Sequence, residues 1–481
     1  MKRSCAKTRG SHPFRMNKKR NLLLYLMMVV VFGIIIYLIL QQGGSLEKPQ
    51  RHIHSFHKDF QDYFLVFTDS FYRRMSHPLP VLLLQIIIIV LCTRIFGFLF
   101  NKISQPPVIG EIVAGIVLGP SLLGLIFPSV SQFIFPDYSL DNLQFLSQLG
   151  LIFFMFVIGM EVDLTVIRKQ AADAVIISHA SIIIPYTLGM GLSIFFYKQF
   201  APEGVSFLSF SLFMGIAMSI TAFPVLARII RERNITQTKL GIMALTCAAS
   251  DDVTAWCILA ILIAIIKAGS SVSALFTIGL VIFYILIMLF IVRPLLGRLL
   301  TLYEKRQFLN KAMMAIVFII LLLSAYATEV IGIHALFGSF MAGIIMPHDL
   351  NFRKIIIDKI EDISIVLLLP LFFVFTGLRT QIGLLNEGFL WAAAGWILLV
   401  AVIGKFGGSA LAARAVGQSW KDSLSIGALM NTRGLMELIV LNIGYDLGIL
   451  SPEIFAMMVL MALITTFMTN PALNLINKKL L

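Results

Sequence analysis

Two adjacent carboxylates, Asp251 and Asp252, interrupt an apolar stretch that runs from Gly241 to Lys267 and is long enough to cross a bilayer. A charge at the bilayer centre costs about 2.5–3.5 kcal/mol even on the most lenient insertion scale. Helix stability asks for no such pair. Its positive partner is a proton or a metal cation on the functional reading, and a basic side chain on the structural one. Neighbouring residues on a helix point about 100° apart, so the two carboxylates face different partners. One can meet a base on a neighbouring helix while the other faces a cavity.

Three basic residues fall inside apolar segments: Arg94, Lys405 and Arg433. Lys405, in Ile403-Gly-Lys-Phe-Gly-Gly408, has no acid nearby in sequence, and its glycines permit close helix approach. Arg433 has Glu437 one helical turn on, with Glu111 as a second candidate partner, and this group reads as mainly structural. Arg94 sits near a helix end, from which it can snorkel to the surface.

Burial makes a carboxylate hold its proton more tightly, and a nearby cation loosens that hold. A site that takes either a proton or a metal cation makes the two compete, and competition joined to alternating access gives antiport. A hard monovalent cation wants oxygen ligands. Asp252, the hydroxyls of Ser219, Thr221 and Ser250, and freed carbonyls near Thr221 are the candidates, with Asp252 as the metal ligand. The chain contains no P-loop, zinc-ligand spacing or catalytic triad, so neither an enzyme nor a cofactor is expected.

The elements that must position these residues are membrane helices. The chain is 58% hydrophobic and 13% charged, far outside the range of soluble domains. Residues 1–20 carry eight Lys or Arg and no acid. Residues 21–41 form an apolar run longer than a signal-peptide core. It reads as an uncleaved anchor, with cleavage after Gln-Gln-Gly-Gly-Ser as the alternative. Either way, 42–78 becomes an extracytoplasmic segment. Thirteen further membrane helices follow within 79–476, at about 79–101, 106–120, 143–161, 172–197, 206–230, 238–266, 272–294, 310–328, 331–346, 361–378, 388–413, 422–444 and 453–475.

With the N-terminus in the cytoplasm, 27 of the 38 Lys and Arg lie on the cytoplasmic side and eight outside. This satisfies the positive-inside rule. It accounts for the net charge of +13 without a nucleic-acid partner. Cys5, Cys92, Cys247 and Cys257 make no metal or disulfide pattern, and the last three read as small buried hydrophobes.

The two halves of the helical region echo each other. Ala114-Gly-Ile-Val-Leu-Gly-Pro120 in the second of the thirteen helices matches Ala342-Gly-Ile-Ile-Met-Pro347 in the ninth. Phe153-Phe-Met-Phe-Val-Ile-Gly159 in the third matches Phe372-Phe-Val-Phe-Thr-Gly377 in the tenth. The offset is odd, so the copies run in opposite directions, as in secondary transporters with inverted repeats. The same offset pairs Met218-Ser-Ile-Thr-Ala-Phe-Pro224 with Met430-Asn-Thr-Arg-Gly-Leu-Met-Glu437. Each is a polar stretch beside a helix breaker, which predicts two broken helices whose exposed ends can hold ions. A simple proline kink is the alternative at Pro224.

Taken with Gln105-Pro-Pro-Val-Ile-Gly-Glu111, Ser250-Asp-Asp252 and Gly332-Ile-His-Ala-Leu-Phe-Gly338, these motifs resemble the monovalent cation:proton antiporter-2 family over about residues 80–476. The resemblance implies an all-α polytopic membrane protein with the 13-helix sodium/proton antiporter fold. That fold has inverted repeats and two crossed broken helices; here one extra N-terminal helix is added. It implies a mobile ion-binding domain moving against a dimerising one, hence a homodimer. It also implies Asp252 as the ion- and proton-binding carboxylate, Asp251 paired with Lys405, and Thr221 and Ala222 at the unwound crossing.

Many members carry a cytosolic nucleotide-binding or stress-type domain after the last helix. This sequence ends at Asn477-Lys-Lys-Leu-Leu481, so regulation of that kind is not expected. The expected activity is exchange of Na+ or K+ for protons, electrogenic by analogy with the two-aspartate branch of the fold. The partners are the cation, protons and the lipid bilayer, and the setting is a bacterial inner membrane. A potassium efflux channel on the same scaffold is the alternative.

Overall fold

A computed structural model describes residues 18–44, 60–161, 171–236, 238–268, 271–298, 311–347 and 349–479. Residues 1–17 of the basic segment, Cys5 among them, and residues 45–59 of the expected extracytoplasmic segment lie outside these residues. Two compact units are present, Met1–Arg74 and Met75–Leu481.

The first unit contains α1 (Lys18–Gly44) and α2 (Phe60–Met75). The helix α1 extends three residues beyond the expected apolar run 21–41 at each end. No helix is expected within 42–78, yet α2 forms there. Phe64, Phe67 and Phe71 recur at helical spacing along it, and the rings of Phe67 and Phe71 stack at 6.1 Å.

The helices of the second unit are α3 (Pro78–Lys102), α4 (Pro107–Leu118), short α5 (Leu123–Ile126) and α6 (Pro128–Ile134), α7 (Asp137–Glu161), α8 (Ala171–Phe200), α9 (Phe207–Ser219), α10 (Phe223–Glu232), α11 (Lys239–Ala268) and α12 (Ser271–Ile287). They continue as α13 (Lys311–Ile331), α14 (Ala335–Ile344), α15 (Leu350–Ile363), α16 (Leu369–Arg379), α17 (Gly388–Val402), α18 (Gly408–Ala415), α19 (Trp420–Met430), α20 (Leu435–Asp446) and α21 (Pro452–Lys479). No strand occurs among the described residues. Thirteen apolar helices follow α1 when α19–α20, bent by 42°, is taken as one span and the short α14 is included.

Local chemistry explains the boundaries. Proline opens α3, α4 and α10, where its missing N–H costs nothing. Ser206, Asp349 and Ser419 cap α9, α15 and α19 by accepting from Ser209 N, Phe352 N and Asp422 N.

Several boundaries differ from the sequence reading. The loop 121–142 holds α5, α6 and the first turn of α7. The expected helix 331–346 is only Ala335–Ile344, because Gly332 and His334 take φ of +97° and +83° and break it. The tenth span begins at Asn351 instead of 361 and runs to Leu384 through a π-turn at Ser364–Leu368. Cys247 is buried and Cys92 half-buried, but Cys257 is exposed. A helix surface facing lipid is as apolar as a core, so hydropathy could not tell them apart.

The second unit is built from two helix groups. In the first, α4 packs on α3 and α16, and α7 on α14 and α16. In the second, α8 packs on α9, α11 and α18, and α19 on α18 and α21. Glycines weld the first group. A Cβ at Gly377 would collide with the backbone of Gly115, and one at Gly343 with the backbones of Phe156 and Gly159. Gly115 and Gly343 occupy equivalent places in the matched motifs, as do Gly159 and Gly377. The two close approaches are therefore one contact made twice, each joining one inverted half to the other.

Candidate ion-binding site

Between α9 and α10 the backbone leaves the helix. Ile220 and Ala222 are extended, with ψ of 138° and 92°. The break in α19–α20 covers Asn431 to Gly434. At Gly434 φ is +157°, and a Cβ would stand 3.0 Å from Val225 Cγ2, so only glycine fits. The two unwound segments cross and bond to each other. Ala222 N donates to Thr432 O at 3.1 Å, and Thr221 Oγ1 lies 3.3 Å from Met430 O. Both breaks are thus present, and Pro224 marks more than a kink.

Unwinding exposes carbonyls at the end of α9, the negative pole of a half-helix. Two buried cations cover them. Arg433 Nη1 and Nη2 donate to Ala217 O and Met218 O at 3.0 and 2.6 Å. Lys405 Nζ donates to Ser219 O and, at 2.9 Å, to Ser181 O. Lys405 sits in the π-turn Ile403–Gly407, where Gly404 meets Pro185 of α8. Such turns are frequent at functional sites.

Asp251 and Asp252 lie in α11 one turn beyond Cys247, which is packed in the core shared by α10, α11 and α19. The two carboxylates meet different surroundings, as neighbours about 100° apart on a helix do. Asp251 is saturated. It accepts from Ser178 Oγ at 2.5 Å, Ser181 Oγ at 3.0 Å and Thr221 Oγ1 at 2.8 Å, and pairs with Lys405 Nζ at 3.1 Å. Asp252 is 0% exposed, and neither carboxylate oxygen has a hydrogen-bond partner among the described residues. The backbone N–H of Phe223, at the positive pole of α10, lies beside it without completing a bond.

The other sequence candidates are distributed as follows. Thr221 joins the site but turns its hydroxyl to Asp251. Ser219 contributes its carbonyl to Lys405, while its hydroxyl donates back to Ile216 O. Ser250 is half-buried, and its carbonyl accepts from Thr254 Oγ1. Glu437 Oε1 lies 3.0 Å from Arg433 Nη1 with both side chains fully buried. The guanidinium hydrogens point at the α9 carbonyls, so neither Glu437 oxygen completes a hydrogen bond.

Glu111 is placed elsewhere. It lines a cavity of about 340 Å³ with Glu161, Arg228, Arg231 and Glu361, and Val225 and Leu435, which flank the two breaks, line the same cavity. Ser178 and Ser181 escaped the sequence reading. Their signal was two hydroxyls at i and i+3 on one face of an apolar helix, just before Pro185.

The arrangement surrounds one carboxylate with fixed protein donors and leaves the other without any among the described residues. An unpaired buried charge costs several kcal/mol, so an ionised Asp252 is costly to hold without a partner.

Comparison with known proteins follows the same line. Residues 86–475 match the family described as sodium/hydrogen exchanger, transmembrane. The chain is 43% identical over 397 residues to the Na(+)/H(+) antiporter NhaS4 of Synechocystis sp., covering 82% of this chain and 97% of that protein. It is 41% identical over 398 residues to Cation/H(+) antiporter 17 of Arabidopsis thaliana, covering 82% of this chain and 48% of the relative. It is 34% identical over 417 residues to K(+)/H(+) antiporter 1 of Saccharomyces cerevisiae, covering 85% and 48%. The chain thus spans about half the length of these plant and yeast relatives. The sodium proton antiporter MjNhaP1 from Methanocaldococcus jannaschii at pH 8 shares the fold, with a TM-score of 0.58 at 17% identity over 82% of this chain and 97% of that one. A family match across the whole helical unit, joined to the crossed breaks and the buried aspartates, makes this chain a member of the sodium/hydrogen exchanger family.

Proposed function

We propose that this protein exchanges a monovalent cation for protons across a membrane, with Asp252 carrying one or the other through alternating access. The observation that carries this reading is the fully buried Asp252 carboxylate, which has no hydrogen-bond partner among the described residues, beside an Asp251 satisfied four times over. Asp251 with Lys405 then holds the crossing together, and Asp252 is the group that changes its load. Asp252 itself and the backbone carbonyls of the two breaks that Arg433 and Lys405 leave uncovered supply the hard oxygen ligands that Na+ or K+ requires. Arg433 and Lys405 occupy the end of α9, so the cation belongs on the Asp252 side of the crossing, where no fixed positive charge bonds to the carboxylate.

The relatives named above are antiporters for Na+, K+ or cations in general, which favours exchange over a channel. The basic clusters Arg228/Arg231/Arg233 and Arg353-Lys354 put the end of the bundle that holds the 340 Å³ cavity in the cytoplasm. That cavity becomes the cytoplasmic approach to Asp252, and residues 79–476 are the transporting domain. The setting is a bacterial inner membrane, and the assembly is a homodimer.

The test is proton flux in everted vesicles loaded with an acid interior. Adding Na+ or K+ collapses the gradient in wild type, and the effective ion names the cargo. Asp252→Asn abolishes the collapse. Cation flux without proton movement, or an Asp252→Asn variant that still exchanges, would refute the reading.

A further inference from the structure

The two helix groups meet differently at their two ends. At the end with the basic loops, they are separated in part by the 340 Å³ cavity. Among the described residues, one side-chain hydrogen bond joins them there, from Asn470 Nδ2 to Ser104 O at 2.7 Å. At the opposite end a cluster of contacts closes the seam between α16 of the first group and α20 of the second. Arg379 Nη1 lies 2.7 Å from Asp446 Oδ1 and donates to Asn442 Oδ1 at 3.2 Å. Asn442 Nδ2 donates to Thr376 Oγ1 at 2.8 Å. The Arg379 guanidinium also lies 4.3 Å from the Phe375 ring centre and 5.3 Å from that of Tyr445, one ring from each group. Thr376 is fully buried and Asn442 nearly so. Behind the cluster, a pocket of about 20 Å³ is lined by Gln144, Gln148 and His334 of the first group together with Arg379 and Asp446.

None of these residues touches Asp251, Asp252 or Lys405. Their arrangement is explained by position. Each polar bond spans the seam that must part if Asp252 is to face the other side of the membrane. Polar bonds between membrane helices each add modestly to helix association; here Thr376 and Asn442 make theirs at burial, while Arg379 and Asp446 stay partly exposed.

We propose that Arg379, Asp446, Asn442 and Thr376 form a latch that holds the end away from the basic loops closed, and that exchange requires it to open and reform in each cycle. The proposal rests on the alternating-access reading above. Its experiment therefore has a readout that does not depend on transport.

All variants are made in a chain whose four native cysteines are replaced. In the first measurement, Ile443→Cys, buried beside the latch, reports opening to a membrane-impermeant thiol reagent added from the latch side. Labelling is slow with the latch intact and at least tenfold faster in Arg379→Ala. The reversed pair Arg379→Asp with Asp446→Arg brings it back towards the slow rate. Equal labelling in all three overturns the latch, whether or not the protein transports.

In the second measurement, Thr376→Cys with Asn442→Cys is bridged by a short bifunctional methanethiosulfonate. Bridging stops exchange, and dithiothreitol restores it. The single-cysteine variants are unaffected. Undiminished exchange in the bridged protein overturns the proposal, whereas absence of exchange in the unaltered chain refutes the antiport reading alone. The bridged pair needs no destabilising charge removal, so it remains decisive if Arg379→Ala folds poorly.

Discussion

Lys405 is the residue on which the crossing depends. Its ammonium serves one carboxylate and two carbonyls, all at full burial. Removing one partner of a buried ion pair costs about 3–5 kcal/mol, because the other charge is left uncompensated. Lys405→Met should therefore lower the thermal midpoint of the detergent-solubilised protein steeply. The double variant Lys405→Met with Asp251→Asn should recover much of that loss, since the new, uncharged amide can still bond to the Ser178, Ser181 and Thr221 hydroxyls. A double variant no more stable than the single one would show that Lys405 acts through the α9 carbonyls instead. The family resemblance implied the pairing, and the residues supported it, because Lys405 lies deep in an apolar segment without a nearby acid, whereas Arg94 sits near a helix end and can snorkel. The hydroxyls were not legible. Which face of α8 meets α11 depends on helix rotation, so Ser178 and Ser181 were invisible while Ser250, adjacent in sequence, attracted notice. Arg433 was read through its i+4 acid, yet its hydrogen bonds go to backbone carbonyls, which no side-chain pattern announces.

At the scale of elements, the inverted repeat was readable from glycines, and the structure gives the physical reason. Gly377 meets Gly115, and Gly343 meets Gly159, at backbone contact. The motif is kept twice because the same helix approach is made twice. Gly377→Ala and Gly343→Ala should each destabilise the protein by about 1–3 kcal/mol through overpacking. Gly395→Ala, in a helix with nothing near the added methyl, should be close to neutral. The check is thermal unfolding of the three variants side by side. A Gly377→Ala protein as stable as Gly395→Ala would mean the helices separate freely and the weld is unimportant. Elements that are short or of mixed polar and apolar composition were the ones missed. The short α5 and α6, the early start of α15 and the polar face of α2 all look like loop composition, and tertiary packing or a membrane surface decides their conformation.

At the scale of the whole molecule, competition at Asp252 links cation binding, proton binding and stability. A ligand that binds only the folded protein stabilises it by RT ln(1 + [L]/Kd), or about 2.7 kcal/mol at one hundred times Kd. Protonating Asp252 removes the charge that attracts the cation, so the apparent Kd rises as pH falls. The transported ion should therefore raise the unfolding temperature more at alkaline pH than at acid pH. In Asp252→Asn it should add nothing at either pH, because the competing carboxylate is gone. The sign separates this from ordinary screening. Salt acting on exposed pairs such as Arg73–Asp69, whose side chains are 80% and 63% exposed, would weaken them in wild type and variant alike. Choline chloride at matched ionic strength isolates that contribution. A thermal shift specific to Na+ or K+, enlarged at high pH and lost with Asp252, would tie the empty carboxylate to the cargo without any transport assay. A shift of equal size at both pH values would mean that the cation and the proton occupy different places.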